Sequence, residues 1–419
     1  MFATVSVTTD AVPLPLCLDP GPALPADPFA PCCLLVSAAQ PAPAPARRLD
    51  IARHFAELPD PRHPAFRRYH RLDDILVLAL TAMLCGCQSW EAIADFGKTK
   101  EAWFRCIGLE LPHGIPSHDT FNRVFAALDP VAFQNAFTSW INAVCSSLGF
   151  CHIPIDGKAA RGSRGPDGTC LHLVSAWAHE QRLSLAQVAV ADKSNEITAI
   201  PKLLKLLDVH GALVSIDAMG CQKEIAKEIR KGGGDYLLAL KENQPGLYAD
   251  VVACFEACFE GDFQGVSYDV SYSEETSHGR YEERQCMVIY DPAGLSSKGE
   301  WEDLNAVVQV VRTRRQGGKQ STETSYYITS SRAAAKLLSA GVRAHWGIEN
   351  GQHWVLDVVF GEDGCRSRQG HAAQNLAWLR KMALSVFNQD ESPGSIPTRQ
   401  IRAASSDEYR LHLLHLLGK

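Results

Sequence analysis

Two textures of apolar patterning divide the chain. Through residues 47–145, apolar side chains recur at three- and four-residue intervals, the spacing of one helix face. Between Leu72 and Cys85 the recurring set is Ile75, Leu76, Leu78, Ala79, Met83 and Leu84. Ser89 ahead of Trp90-Glu91-Ala92-Ile93 predicts a helix start, and Ser117 is placed to cap a helix with Phe121, Val124 and Phe125 on one face. A short helix, a turn and a second capped helix have a helix-turn-helix layout. That layout alone separates DNA contact only weakly from plain packing.

From 146 onward the pattern becomes short apolar runs at 151–156, 171–178, 185–191, 212–217 and 235–240. Helical stretches Ile197–Leu207 and Gln222–Lys231 lie between them, so an α/β sheet is predicted. Residues 262–290 and 305–329 again read as strands with no helix between, an antiparallel insertion. Helices return at 332–358 and 371–387. The predicted organisation is a Pro/Ala-rich leader at 1–46 without a core and a helical domain at 47–145. An α/β domain follows at 146–389, with a β-rich insertion at about 246–331, then a tail at 390–419 with a linker and one short helix.

The formal charge of −6 disfavours a nucleic-acid partner until its distribution is considered. Residues 246–331 hold 14 acidic against seven basic side chains, so the rest of the chain is close to neutral. Residues 47–72 hold seven Arg against three acids, beside His54, His63 and His70. DNA affinity depends on local phosphate neutralisation, which this distribution permits. The 14 cysteines show no metal-ligand spacing and read as small buried side chains of a cytoplasmic protein. No positive segment precedes an apolar core at the N-terminus, and no apolar run reaches the ~18 residues that span a bilayer, so no membrane partner is expected.

Three acids stand out against this background. Asp156 closes Cys-His-Ile-Pro-Ile-Asp and Asp217 closes Ala-Leu-Val-Ser-Ile-Asp, each read as a strand end opening into the crevice above a sheet. Gly157 is expected to let the backbone turn there, with Lys158 and Arg161 free to meet phosphates. Alone, either aspartate reads as a turn or cap. Together, on neighbouring strands, they would repel unless cations sat between them. Glu349 is the third, and His345, Glu349, His353 and Asp357 recur every four residues on one helix face. The flanking Trp346, Trp354, Val358 and Phe360 suggest partial burial of that helix. A zinc site on His345 and His353 is disfavoured, because two turns separate them by ~12 Å. Hard oxygen donors favour Mg²⁺ or Mn²⁺ instead. Lys241-Glu-Asn-Gln244 adds a cation and amides at another strand end.

These residues resemble the DDE-type insertion-sequence transposases, most of all the H-repeat-associated or ISAs-type branch. The matching blocks include Phe55-Ala-Glu-Leu-Pro-Asp-Pro-Arg62, Ile155-Asp-Gly-Lys158, Lys193-Ser-Asn-Glu-Ile197 and Ile216-Asp-Ala-Met-Gly-Cys-Gln222. Tyr236-Leu-Leu-Ala-Leu-Lys241, His278-Gly-Arg280, His345-Trp-Gly-Ile-Glu-Asn350 and His353-Trp-Val-Leu-Asp357 continue the match. The resemblance implies an RNase H-like catalytic domain interrupted by a β-rich insertion and preceded by an all-helical DNA-binding domain. It makes Asp156, Asp217 and Glu349 the catalytic, metal-holding triad, with two Mg²⁺ or Mn²⁺ ions per site. DNA is the implied partner, as terminal inverted repeats and target, with a homodimer acting on it at the nucleoid. Val342, His345 and Leu356 stand where the wider superfamily has a Tyr, an Arg and a Lys. Phosphate contact is therefore assigned to His345, Asn350 and His353, beside Lys158, Arg161 and Lys241. The alternatives are a metal-dependent nuclease or domesticated recombinase without strand transfer, and a decayed DNA-binding protein.

Overall fold

The computed structural model describes Phe55 and residues 57–63, 65, 68–145, 152–164, 170–190, 196–277 and 279–416, with side chains 142–145 left aside. The leader, Lys193-Ser-Asn195 and His278 lie outside the described residues. Ahead of the first strand come α1 (Leu72–Leu84), α2 (Trp90–Thr99), α3 (Glu101–Cys106), α4 (His118–Ala127) and α5 (Pro130–Cys145). Ser89 and Ser117 do cap α2 and α4, their hydroxyls accepting from Ala92 N at 3.2 Å and Thr120 N at 3.3 Å. Helix α1 is buried from Asp74 to Leu84, so it runs through the middle of the helical core.

Nine strands form one sheet in the order β3-β2-β1-β4-β5-β9-β8-β7-β6. The first five are β1 (His152–Ala160), β2 (Leu171–Ala178), β3 (Leu183–Val190), β4 (Leu213–Ile216) and β5 (Asp235–Leu240). Strands β1, β4 and β5 run parallel, and β2 and β3 join as an antiparallel hairpin on the β1 side. This is the expected RNase H-like arrangement. The insertion supplies β6 (Tyr268–Ser277), β7 (Arg280–Tyr290), β8 (Ala306–Gln316) and β9 (Lys319–Thr329). It is not a separate sheet: β9 pairs with β5 from Leu237↔Thr329 to Leu240↔Tyr326.

Period-two alternation in β1 sorts its side chains into two layers. Ile153 and Ile155 enter an apolar cluster with α6 (Glu196–Leu204), α7 (Lys223–Lys231) and α8 (Pro245–Glu260). His152, Asp156 and Lys158 face the other layer. That layer holds α9 (Ala335–Ile348), a π-turn at Glu349–His353, α10 (Trp354–Val358) and α11 (Ala372–Gln389). Helix α8 is absent from the sequence reading, although Pro245 opens it and Leu247, Val251 and Phe255 bury one face.

The tail also differs from expectation. It forms two helices, α12 (Ile396–Ser405) and α13 (Asp407–Leu416), which share a core with α1, α4, α5 and α11. Arg410 is wholly buried, its guanidinium 4.0 Å above the Trp103 ring while Nη1 donates to Ala403 O at 2.7 Å. In the first of these helices Arg399 is buried too, its Nη1 donating to Phe387 O at 2.7 Å.

Candidate active site

Parallel pairing brings the two aspartates together. Ile155 and Ile216 are register partners on β1 and β4, so Asp156 and Asp217 follow side by side, one strand spacing of about 5 Å apart. Asp156 is not at a strand end, because β1 continues to Ala160 along β2. Gly157 accordingly makes no turn. It pairs with Val174, and a Cβ there would lie 2.4 Å from Oε1 of Glu196, a buried carboxylate at the start of α6. Gly157→Ala should therefore displace Glu196 or the Asp156 backbone and lower any cutting rate by roughly a hundredfold, the usual penalty of a 1 Å misplacement. A Gly157→Ala protein that folds and cuts at the parental rate would show that this packing does not position Asp156.

Asp156 Oδ1 accepts from Gly157 N at 2.8 Å, and Oδ2 lies 3.4 Å from His353 Nδ1. Burial pushes its carboxyl up to about 7, and after the opposing Gly157 hydrogen bond the negative charges of Asp217, Glu349 and Glu196 add to the rise. Asp217 is exposed at the end of β4, where it caps the turn Ala218–Gly220 through a 3.2 Å bond from Gly220 N. The β5–α8 loop braces that turn. Asn243 Nδ2 donates to Ala218 O, and Gln244 Nε2 donates to Cys221 O at 2.9 Å. Glu349 is exposed on the first residue of the π-turn, an element that often marks functional sites.

Several expected phosphate contacts are committed elsewhere. Lys158 is nearly buried and forms ion pairs with Asp357, at 2.5 Å, and with Glu362. It ties β1 to α10 and is not open to a phosphate. Lys158→Met should leave Glu362 unpaired and cost about 3–5 kcal/mol in denaturant unfolding. The salt dependence of DNA binding should stay unchanged; a slope reduced by about one would restore the phosphate role.

His345 Nδ1 lies 3.0 Å from Ser215 Oγ, which also meets His152 Nε2 at 2.8 Å. His353 is buried against Asp156, and burial, followed by Lys381, Lys158 and His345, depresses it to about 3, so it is neutral. His353 is buried and His345 half-buried, and each is engaged by a different partner, Asp156 for His353 and Ser215 for His345. Arg161 and Lys241 do remain exposed: Arg161 lies 3.9 Å from Asp363 with 75% of its side chain exposed, and Lys241 follows the C-terminal end of β5. Asn350 remains exposed too, its Nδ2 donating to Trp346 O at 3.3 Å. The partial burial expected of the flanking residues holds for Phe360 but not for Trp346, Trp354 and Val358, which are exposed.

Behind Asp156 the sheet carries a polar row. Asp156 pairs with Ser175, which pairs with Gln187, and Lys381 Nζ donates to Ser175 Oγ and Gln187 Oε1 at 2.6 Å each. Burial lowers Lys381 to about 7, against the opposing charge of Glu362. Nothing local in the sequence marks this lysine, because its partners lie 206 and 194 positions away.

Two family models cover most of the chain: the DDE_Tnp_1-associated region over residues 52–141 and the transposase DDE domain over 148–386. The chain belongs to the DDE transposases. Its relatives place it in the H repeat-associated branch. The Escherichia coli K12 protein named "H repeat-associated putative transposase YhhI" is 36% identical over 364 residues, covering 85% of this chain and 95% of that protein. A Xanthobacter autotrophicus protein described as "Uncharacterized protein in dhlA 3'region" is 45% identical over 283 residues, covering 67% of this chain and 94% of that protein. Among the described residues, no helix is long and apolar enough to cross a membrane.

Proposed function

We propose that the protein cuts DNA at the terminal inverted repeats of an insertion sequence and joins the freed ends to target DNA. Asp156, Asp217 and Glu349 act as the catalytic carboxylates and the metal ligands. The observation that carries this reading is the pairing of Asp156 beside Asp217, with the charges of both Asp217 and Glu349 raising the Asp156 carboxyl.

A divalent pair fits these residues. The donors are hard oxygens, and like charges crowd around Asp156, the condition that a cation relieves. Among the described residues, no three His, Cys, Asp or Glu side chains are already closed into a cage. The exposed Asp217 and Glu349 carboxylates would complete one by turning inward, Asp217 giving up its bond from Gly220 N. Mg²⁺ or Mn²⁺, when bound, supplies Lewis-acid stabilisation of the attacking and leaving oxygens.

The chain's own residues do the rest. Asn243 and Gln244 fix the Asp217 turn, and His353 and the Gly157 amide orient Asp156. Arg161, Lys241 and Asn350 are the rim groups for strand phosphates. Water attacks the phosphodiester and frees a 3′-hydroxyl, which then attacks the target strand in line. The helical region 47–145 holds the ends, and two copies bring two ends together.

Joining separates this reading from a nuclease with the same carboxylates. Paired repeat-ended duplexes incubated with a supercoiled target and Mg²⁺ should yield covalently joined products. Cutting without any joined product would favour the nuclease.

A further inference from the structure

Arg62, His63, residues 68–70, His113 and α4 line a concavity of about 680 Å³, outside the carboxylate site. Arg62, Arg68 and Arg123 all line it. Arg62 forks onto Asp60 at 2.9 and 2.7 Å, and Arg68 lies 3.6 Å from the same carboxylate, so one acid serves two guanidiniums. Arg123 Nε donates to a backbone carbonyl, Asp119 O, at 3.2 Å. No Asp or Glu among the described residues lines the cavity, so the lining is cationic. Tyr69 is 48% exposed there and meets the His113 ring in a T-shaped contact at 5.0 Å. Val124 and Ala127 of α4 add an apolar wall.

This combination is specific in what it fits. Guanidiniums in a fork geometry recognise phosphate oxygens. An exposed aromatic face stacks a base, which a duplex keeps inside its own stack. The volume suits one ligand of small-molecule size and cannot admit a duplex.

We propose that this pocket holds a single unpaired nucleotide of bound DNA, its phosphate on Arg62, Arg68 and Arg123 and its base on Tyr69. The proposal rests on the transposase reading and gives the helical region a strand-end site separate from the carboxylates.

The test uses the full chain in EDTA, so that no strand is cut. The probes are a repeat-ended duplex with a short single-stranded tail carrying 2-aminopurine, and the same duplex with a blunt end. The parent should quench the 2-aminopurine by stacking. Tyr69→Leu should abolish the quench and weaken tailed-duplex binding roughly tenfold, the scale of one lost base stack, with blunt-duplex affinity unchanged within about twofold. Tyr69→Phe, which keeps the ring, should behave as the parent. Arg123→Ala should weaken tailed binding and reduce its salt slope by about one. An unquenched parent complex would overturn the proposal, as would parental quenching by Tyr69→Leu or equal weakening on both probes. Metal-dependent cutting by the parent is run alongside. If cutting persists without quenching, only the pocket assignment fails; if both are absent, the transposase reading fails with it.

Discussion

Asp156→Asn and Glu349→Gln should each lower metal-dependent cutting of repeat-ended DNA by at least about a thousandfold, the several kcal/mol that metal-held charge stabilisation contributes. Both substitutions keep side-chain volume and remove one negative charge. Asp156 lies beside Asp217 on the neighbouring parallel strand, and the Glu349 charge reaches it from the π-turn. No basic side chain of the rim is altered, so affinity for the uncut fragment should stay within about twofold in a gel-shift or anisotropy titration. Cutting by either variant at the parental rate would remove that residue from the site. Loss of binding in step with loss of cutting would mean that the substitution had disturbed the fold instead.

A second large effect concerns stability without metal. Burial first, and then neighbouring carboxylates, raise the Asp156 carboxyl from 3.8 to about 7 in the folded protein. The native state therefore holds more protons than the unfolded state between those two values, and stability falls as pH rises through that window. Above about pH 7 the full penalty is present, on the order of a few kcal/mol. In EDTA at pH 8, Asp156→Asn should accordingly melt several degrees above the parent, and the gap should shrink as pH falls toward 5. Mg²⁺ or Mn²⁺ should raise the parent's melting temperature by mass action and raise that of the variant far less. A variant less stable than the parent at pH 8, or a gap independent of pH, would show that the carboxylates do not crowd one another.

The carboxylates were legible in the sequence because each follows a short apolar run or belongs to a four-residue helical stripe. Those local patterns survive folding: the two strands pair in parallel, and the stripe from His345 to Asp357 turns toward the sheet despite the π-turn at Glu349–His353. What each stripe residue does was not legible. Lys158 reads as a phosphate contact until Asp357 and Glu362 arrive from more than a hundred and ninety positions away and take its ammonium. His345 likewise reads as a phosphate contact until Ser215, itself bonded to His152, is seen beside it.

Glu196 was visible only as part of a motif block. Its closeness to Asp156 depends on Gly157 lacking a side chain, a relation between two elements that no local pattern records. The tail has one helix more than its sequence pattern predicts. Arg399 of that helix donates to Phe387 O at 2.7 Å and is buried, as is Arg410 of the helix that was expected. Their polar character says nothing of the backbone carbonyls and aromatic rings that receive them.

The most direct test of the central claim is Mn²⁺-dependent cutting of a fragment carrying the element's own inverted repeats, with Asp217→Ala in parallel. Asp217 is the choice because it is exposed and lies just past the end of β4, outside the strand pairing. Cutting at the repeat ends that requires the metal and disappears in Asp217→Ala is the result this account predicts. Specific binding without cutting by the parent, or metal-dependent cutting that survives in Asp217→Ala, would contradict it.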